Sequence, residues 1–373
     1  LQLAILLTIV EFIILSAFIA IVGQKKIKKV NTQPLYLAGS SIAYALFACL
    51  AIIVFFFYKN QGVNLVYFIA LPASQDGRLG DLTDTILVIA KQIVTLSISF
   101  MFLTIVSSNQ RKNLLRPRNK YSNRSIIAAI LVVCVIVGER RSVQVYSALI
   151  TCYILIRAFP TKKFKIVTLV CSAAASVFLV MSIYKMFAAF YYGSYSEALS
   201  QADWGISNLS VLLDSYFAGP KNIGIALQTS QLFFDFARST VPISFLLKGN
   251  GVVTSVLLNT FIYAGAQNTG HVLAATGYGY IFGGIVFSWV PALVNIAVCF
   301  FAEKQVRTAK SFEAVHIWLT VLFRFALNST ANTPALLSAA TNHLFTASVA
   351  FGSAILIKKV VNIHADNNRL LRY

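Results

Sequence analysis

The chain has 373 residues, of which 58% are hydrophobic and only 12% are charged. A soluble domain normally has about a quarter charged residues and at most half apolar ones. The apolar excess is too large for one buried core, and it lies in several runs close to the ~20 residues that cross a bilayer as a helix. This composition excludes a soluble enzyme and a single-pass receptor, and the lack of regular apolar/polar alternation excludes an outer-membrane barrel.

The formal net charge is +19, from 31 basic and 12 acidic residues. Nucleic-acid binding would gather these charges on one soluble face. Here they form short clusters between the apolar runs, as the positive-inside rule predicts, so we expect no nucleic-acid partner. The five cysteines all lie within apolar runs and form no CxxC pair, so we expect no zinc site and no disulfide framework.

Nine apolar runs follow one another along the chain, and each predicts a membrane-spanning helix. Two shorter apolar stretches, Leu65–Leu71 and Val252–Ala264, bring the expected total to about 9–11 spans. The first run lacks a preceding basic segment and a small-residue cleavage site, so we expect no cleavable signal peptide. The nine runs are Leu3–Val22, Leu35–Tyr58, Ile86–Val106, Ser125–Gly138, Val143–Phe159, Ile166–Ile183, Val272–Phe301, Phe312–Leu327 and Ala335–Ile357.

The basic residues between the runs predict the orientation. If Lys25–Lys29 lies in the cytoplasm and the runs alternate, the cytoplasmic side collects 21 of the 31 basic residues and the opposite side eight of the 12 acids. Every alternation agrees, which predicts an all-α multi-pass protein with its N-terminus outside and its C-terminus inside. We expect six spans in 1–183, a large periplasmic loop with short interfacial or re-entrant helices in 184–270, further spans in 271–357 and a basic cytoplasmic tail in 358–373.

A charged triplet, Glu139-Arg140-Arg141, joins the fourth and fifth runs with almost no loop between them. Ionisable groups at this depth cost about 2.5–3.5 kcal/mol each on insertion scales, so they are candidates for function. One Glu cannot neutralise two arginines, and Arg can donate two parallel hydrogen bonds to a phosphate group. The triplet therefore predicts an anionic ligand, with a simple polar turn as the alternative.

Further candidates lie on the same outer side. Arg238 and Arg324 suit an anion as well, although an Asp–Arg pair on an interfacial helix and a snorkelling anchor are the respective alternatives. His271 is the only histidine of the outer loop and precedes the seventh run; its imidazole can act as a general base on a hydroxyl. His316 and His343 lie within runs, where hydrogen bonding between helices is the simpler expectation.

Two segments that combine glycine with aromatic residues complete the candidate site. Tyr216–Asn222 (YFAGPKN) predicts a turn in the long loop, in which Tyr216 and Lys221 would line a substrate site. Thr276–Gly284 (TGYGYIFGG) opens the seventh run and contains Tyr278, a third candidate lining residue. Its glycines let helices approach closely or let the backbone meet a ligand. The tyrosines suit sugar stacking, and an interfacial aromatic belt is the alternative.

The order of these segments resembles that of the Wzy-type oligosaccharide repeat-unit polymerases of Gram-negative bacteria, polytopic glycosyltransferases related to O-antigen ligases. The resemblance covers roughly residues 85–357. Members often carry Ser before the Arg, where this chain has Glu139, so either Arg140 or Arg141 is the equivalent residue. The matching segments are Gly138-Glu139-Arg140-Arg141, the long loop after the sixth run, the YxxGPxN-like Tyr216–Asn222 and the glycine-rich Gly277–Gly284.

The resemblance implies a bacterial inner-membrane enzyme that joins undecaprenyl-pyrophosphate-linked repeat units into O-antigen or a related surface polysaccharide at the periplasmic face. Membrane lipid and a polysaccharide chain-length regulator would be its other partners. No metal or other cofactor is implied. An O-antigen ligase and a lipid-linked oligosaccharide flippase or transporter are the alternatives. For a polymerase, the resemblance implies that the pyrophosphate is bound by Arg140, Arg141, Arg238 and Arg324. The acceptor hydroxyl would be activated by His271 or Glu139.

Overall fold

The structure is a computed structural model that describes residues 2–23, 33–58, 85–135, 142–188, 219–228, 274–328 and 333–370. Within these residues all regular structure is helical, apart from an isolated parallel β-bridge between Tyr36 and Ser311. The expectation of an all-α membrane protein is thereby confirmed. The α-helices are α1 (Gln2–Gly23), α2 (Ser41–Tyr58), α3 (Thr85–Leu115), α4 (Asn119–Cys134), α5 (Ser142–Ala158), α6 (Lys163–Ala188), α7 (Gly219–Ala226), α8 (Ala275–Phe287), α9 (Val290–Thr308), α10 (Phe312–Ala326) and α11 (Thr333–Leu370).

Four helices in the described part of the chain are long and apolar enough to cross a membrane. They are α1, α2, residues Ile89–Leu115 of α3 and residues Ala340–Val361 of α11; α8 and α9 make a fifth span if they are counted as one bent pair. Each of the nine predicted runs coincides with a helix or, for the seventh, with two. The helices α4, α5 and α10 have 16, 17 and 15 residues, fewer than the ~20 that cross a bilayer upright.

The side chains of α1 and α2 are distributed as in helices that face lipid. Phe12 on α1 and Phe57 on α2 are 72% and 76% exposed. Such exposure of large apolar side chains would be unfavourable in water. The buried side of α1 is a narrow stripe whose members recur every three or four residues, the spacing of one helix face. This stripe consists of Ala4, Leu7, Glu11 and Leu15.

The seventh run does not form the continuous span that its sequence predicts. Its two halves, α8 and α9, meet at an angle of 109°. Gly283 and Gly284 leave the helical conformation just before the bend, and Gly284 has φ 67°, which side-chain-bearing residues rarely adopt. The lack of a side chain at Gly279 lets the backbone after α8 pass close to it, because a Cβ there would lie only 2.8 Å from the carbonyl oxygen of Ser288. The glycines therefore bend the run.

The chain divides into two compact units. Unit 1 comprises Leu1–Lys29, Ser200–Lys304 and Val321–Asn342. In it α7 packs against both α1 and α8, and α1 also contacts α8. Its core includes the buried side chains of Leu15, Ala275 and Ala292.

Unit 2 comprises Val30–Leu199, Gln305–Thr320 and His343–Tyr373. In it α3 packs between α2 and α4, and α4 packs in turn against α5 and α6. The extended residues before α2 are fixed by Glu313, a completely buried residue in the first turn of α10. Its Oε1 accepts hydrogen bonds from the backbone N–H of Gly39 and the hydroxyl of Tyr44, both at 2.9 Å, and its Oε2 accepts one from the N–H of Ala38 at 3.1 Å.

Candidate functional site

An acidic side chain lies inside the first span of unit 1. Glu11 is the tenth residue of α1, about 14 Å along the helix axis from Gln2, because each residue adds 1.5 Å. It is 4% exposed and lies on the buried stripe between Leu7 and Leu15. Acids within membrane spans are energetically unfavourable, and they mark a functional site by default.

The two carboxylate oxygens of Glu11 have different surroundings. Oε2 accepts a hydrogen bond from the hydroxyl of Thr276, a fully buried residue in the first turn of α8. Oε1 is also buried, and it accepts no hydrogen bond from any residue that the structure describes. One oxygen is thus held in place, while the other is available to a donor.

The short helix α7 packs a predicted motif against α1, the helix that carries Glu11. The YxxGPxN-like segment, predicted to be a turn, is helical from Gly219 onwards, so that prediction is wrong for its second half. Pro220 is compatible with the first helical turn, where its missing N–H would have no helical partner. Ile223 and Ala226, three residues apart, are buried, and Lys221 lies on the same helix. Because α7 and α8 both contact α1, the two predicted segments adjoin the helix that carries Glu11.

Two other predicted site residues lie within unit 1. Tyr278, on α8, is buried, and its ring packs edge-on against Phe282 with 4.6 Å between the ring centroids. Arg324 lies in the last turn of α10, where a positive charge suits the helix dipole. It is partly buried, and its backbone carbonyl accepts a hydrogen bond from Asn328 at 2.8 Å. Their roles in substrate binding stay predictions.

The remaining predicted site residues lie outside the described part of the chain. The charged triplet falls between Val135, which follows α4, and Ser142, the first residue of α5. His271 precedes Ala274, the first described residue before α8. The residues concerned are Glu139, Arg140, Arg141, Tyr216, Arg238 and His271.

Unit 2 contains an apolar groove between α2, α3 and α4. Its volume is about 320 Å³, and Ser97 is the single polar residue of its lining; the Ser97 hydroxyl donates to the carbonyl of Val94 at 2.8 Å. Exposed residues such as Ile52 and Leu131 border it, so the groove opens onto the surface of the helices. Other lining residues are Ala48, Ala51, Phe55, Met101, Ala128 and Val135. A groove of this kind suits an acyl or polyprenyl chain.

The two histidines of the eighth and ninth runs come together in unit 2. Their rings, both buried, have centroids 6.2 Å apart, as expected for side chains that meet between helices. Within the described residues, no group of three or more His, Cys, Asp or Glu side chains could hold a metal ion. The histidine pair, His316 and His343, therefore lacks further ligands of these kinds in that part of the chain.

Glu11 is a candidate site residue that the sequence pattern did not predict. The available signal is simple, since Glu11 is the only acid in the first apolar run. The position of Thr276 beside it depends on the packing of distant segments and has no such signal. No protein-family model, curated protein or solved structure matches this chain. The molecule is a helical multi-pass membrane protein.

Proposed function

We propose that this protein polymerises undecaprenyl-pyrophosphate-linked oligosaccharide repeat units at the periplasmic face of a bacterial inner membrane. The observation that carries this proposal is the apolar groove between α2, α3 and α4. One of its lining residues, Val135, directly follows α4, and Glu139 comes only four residues later. The groove, which would take the lipid tail, is thus adjacent in sequence to Arg140 and Arg141, the predicted ligands of the lipid's phosphates.

The groove and the arginines would contribute in different ways. Lipid tails are as apolar as the groove, so moving a tail from the bilayer into it yields little hydrophobic free energy. The groove therefore selects the shape of a chain and fixes its position. Binding free energy has to come from the head group, and a pyrophosphate with several negative charges is well matched to arginines that donate in pairs.

The proposed reaction transfers the growing glycan from its pyrophosphate carrier to a hydroxyl of a new repeat unit. The acceptor oxygen attacks the anomeric carbon of the donor, and the bond from that carbon to the pyrophosphate oxygen breaks. The departing oxygen carries away the electron pair. Its growing charge would be stabilised by the arginines Arg140, Arg141, Arg238 and Arg324, and the acceptor proton would pass to a base, for which the sequence suggests His271 or Glu139.

The proposal is tested by deleting the gene in its host and separating the surface polysaccharide on a gel. If the protein is a polymerase, the ladder of bands from chains of increasing length should disappear. Only the lipopolysaccharide core with a single repeat unit should be left. Lipopolysaccharide core without any repeat unit would refute the proposal and point to a ligase or a flippase. An unchanged ladder of bands would also refute it. The deletion strain is then complemented with Arg140→Ala, Arg141→Ala or His271→Ala. A variant that is inserted in the membrane but does not restore the ladder identifies a side chain that the reaction needs.

The role of the groove is tested with a matched pair on α2. Ala48 lines the groove and is half-buried, whereas Ala45 is exposed and does not line it. Ala48→Trp should fill the groove and shorten or abolish the ladder, while Ala45→Trp should leave it unchanged. Equal ladders from both variants would show that the groove has no part in the reaction.

A transporter or flippase of lipid-linked oligosaccharides is the second candidate. The observation that favours it is the 109° bend between α8 and α9, because transporters often build their sites from interrupted helices. A flippase and a polymerase differ in the position of the stalled intermediate when the gene is deleted. Lipid-linked repeat units would accumulate on the cytoplasmic side without a flippase and on the periplasmic side without a polymerase.

A further inference from the structure

Unit 2 contains a second cavity, larger than the apolar groove, that the proposed reaction does not use. It lies between the extended residues before α2, the C-terminal part of α3 and the end of α11, and all of its lining residues belong to unit 2. Its volume is about 860 Å³. This size falls within the range of about 300–1,000 Å³ that is typical of ligand sites. We call it the basic cavity, after the charges described next.

The charged residues among the described lining of the basic cavity are all cationic. They are Arg111 and Lys112 on α3 and Lys358 on α11. The ammonium group of Lys358 is fixed at the wall, because it donates to the backbone carbonyls of Leu37 and Ala38 at 3.0 and 3.1 Å. An ammonium group has three N–H donors, so one is left for a ligand. Three positive charges around one cavity favour an anion.

Small hydroxyl residues provide the room for that anion. Ser107 and Ser108 lie one helical turn before Arg111 and Lys112 on α3, so hydroxyls and cations share one side of the helix. Ser40 adds a further hydroxyl just before α2. Arg can hold a phosphate group through two parallel hydrogen bonds, and each hydroxyl can both donate and accept. The lining therefore suits a phosphate ester that carries hydroxyl groups of its own.

Large apolar side chains border the same cavity. Leu114, Leu115 and Val361 line it and are all exposed, Leu115 to 76%. Exposed apolar surface beside a group of cations would be unfavourable around an anion dissolved in water. It matches the boundary between the headgroups and the acyl chains of a bilayer. The ligand that fits both parts of the lining has an anionic head and an apolar tail.

The three segments around the basic cavity lie on one side of the membrane in the orientation that the basic residues predict. Arg111 and Lys112 follow the third run, Lys358 follows the ninth, and the residues before α2 follow the cluster Lys25–Lys29, all on the cytoplasmic side. Basic pockets between membrane spans on this side bind anionic lipid headgroups. Topology alone needs basic residues in the loops, but it does not need them around a cavity.

We propose that the basic cavity binds the headgroup of an anionic phospholipid from the cytoplasmic leaflet. The phosphate is held by Arg111, Lys112 and Lys358, and the acyl chains pass over the exposed leucines at the end of α3. The lipid bridges three segments that are far apart in the sequence, so its binding to the folded protein stabilises unit 2. This inference does not depend on the proposed function, which concerns the periplasmic side.

The test titrates phosphatidylglycerol into the purified full chain in detergent micelles and follows binding by native mass spectrometry, with phosphatidylcholine as the uncharged comparison. The wild type should bind phosphatidylglycerol more tightly. Arg111→Gln/Lys112→Gln should weaken this binding about tenfold or more, as expected for lost hydrogen bonds to a charged group. The matched control Arg116→Gln/Arg118→Gln removes the same charge from exposed residues that do not line the cavity, and it should bind like the wild type.

Equal losses in the two double variants would show that overall charge alone attracts the lipid, and would overturn the proposal. Equal binding of the two lipids by the wild type would do the same. A second variant keeps every charge: Ser108→Trp fills the cavity from an exposed position and should also weaken binding of phosphatidylglycerol. Wild-type affinity in Ser108→Trp would place the lipid elsewhere and refute the site.

Two further measurements distinguish a lipid from a soluble phosphate. Phosphatidylglycerol should raise the unfolding midpoint of the wild type and raise that of Arg111→Gln/Lys112→Gln less. Inorganic phosphate and glycerol phosphate, at the concentration of the lipid, should not displace it. Displacement by either would identify a soluble phosphate as the ligand and overturn the assignment to a lipid. None of these results requires that the protein polymerises sugars, so the two proposals can fail separately.

Discussion

Glu313 accepts three hydrogen bonds in unit 2, and its replacement offers a sharp test of the fold. The carboxylate joins residues more than 260 positions apart in the chain, because its three donors belong to Ala38, Gly39 and Tyr44. Hydrogen bonds to a charged group contribute about 1.5–3 kcal/mol each, and a buried donor left without an acceptor costs about 1–3 kcal/mol. Every donor of this network would be affected by Glu313→Ala.

The expected losses follow from the number of donors that each change leaves unpaired. Tyr44→Phe removes one donor and leaves the carboxylate with two, so the free energy of unfolding should fall by about 1–2 kcal/mol. Glu313→Gln can keep its oxygen in the Oε1 position, but its amide then faces the N–H of Ala38, donor against donor, for a loss of about 2–3 kcal/mol. Glu313→Ala strands all three donors and should cost about 4 kcal/mol or more.

Equilibrium unfolding of the purified protein in mixed micelles of SDS and a mild detergent measures these differences. The double variant Glu313→Gln/Tyr44→Phe completes a mutant cycle and should be less destabilised than the sum of the single changes, because both act on one network. Glu303→Gln, on a half-buried glutamate, should change stability by less than Glu313→Gln. A Glu313→Ala protein no less stable than Tyr44→Phe would refute the reasoning.

Two further predictions concern the bend and the end of α11. Gly279→Ala should sharply reduce the yield of folded protein in size-exclusion chromatography, because its Cβ would meet the backbone carbonyl of Phe287; Gly352→Ala, with open space around it, should be tolerated. Lys358→Gln should lower the unfolding midpoint, since its ammonium group donates to two backbone carbonyls before α2 at 3.0 and 3.1 Å, whereas Lys359→Gln, exposed next to it, should not.

The helices could be predicted because the bilayer imposes a strong and local signal. A run of about 20 apolar residues has almost no other stable structure in lipid, where every backbone group has to find its partner within the segment. The nine predicted runs accordingly coincide with helices. The bend in the seventh run was missed, because Gly277–Gly284 is as apolar as its flanks and the left-handed conformation of Gly284 leaves no mark on hydropathy.

The candidate site was less accessible to sequence reasoning than the helices. The glycine-rich segments were identified by composition, yet their common contact with α1 depends on packing between parts of the chain more than 190 residues apart. The second half of Tyr216–Asn222 was predicted to be a turn because Gly-Pro is typical of turns; in the structure it starts a helix, a position that Pro equally favours. Glu11 could have been found from its position, since it is an acid in the middle of a span.

The two buried glutamates show how hydrogen bonding separates a structural acid from a candidate functional one. Both lie beside the first turn of a helix, Glu313 in its own and Glu11 at that of α8. Glu313 uses both oxygens on three donors, whereas Glu11 uses one oxygen on one donor. Substitution by glutamine should therefore lower the free energy of unfolding at Glu313 and leave it close to the wild-type value at Glu11. A Glu11→Gln protein as unstable as Glu313→Gln would mean that Glu11, too, only holds helices together.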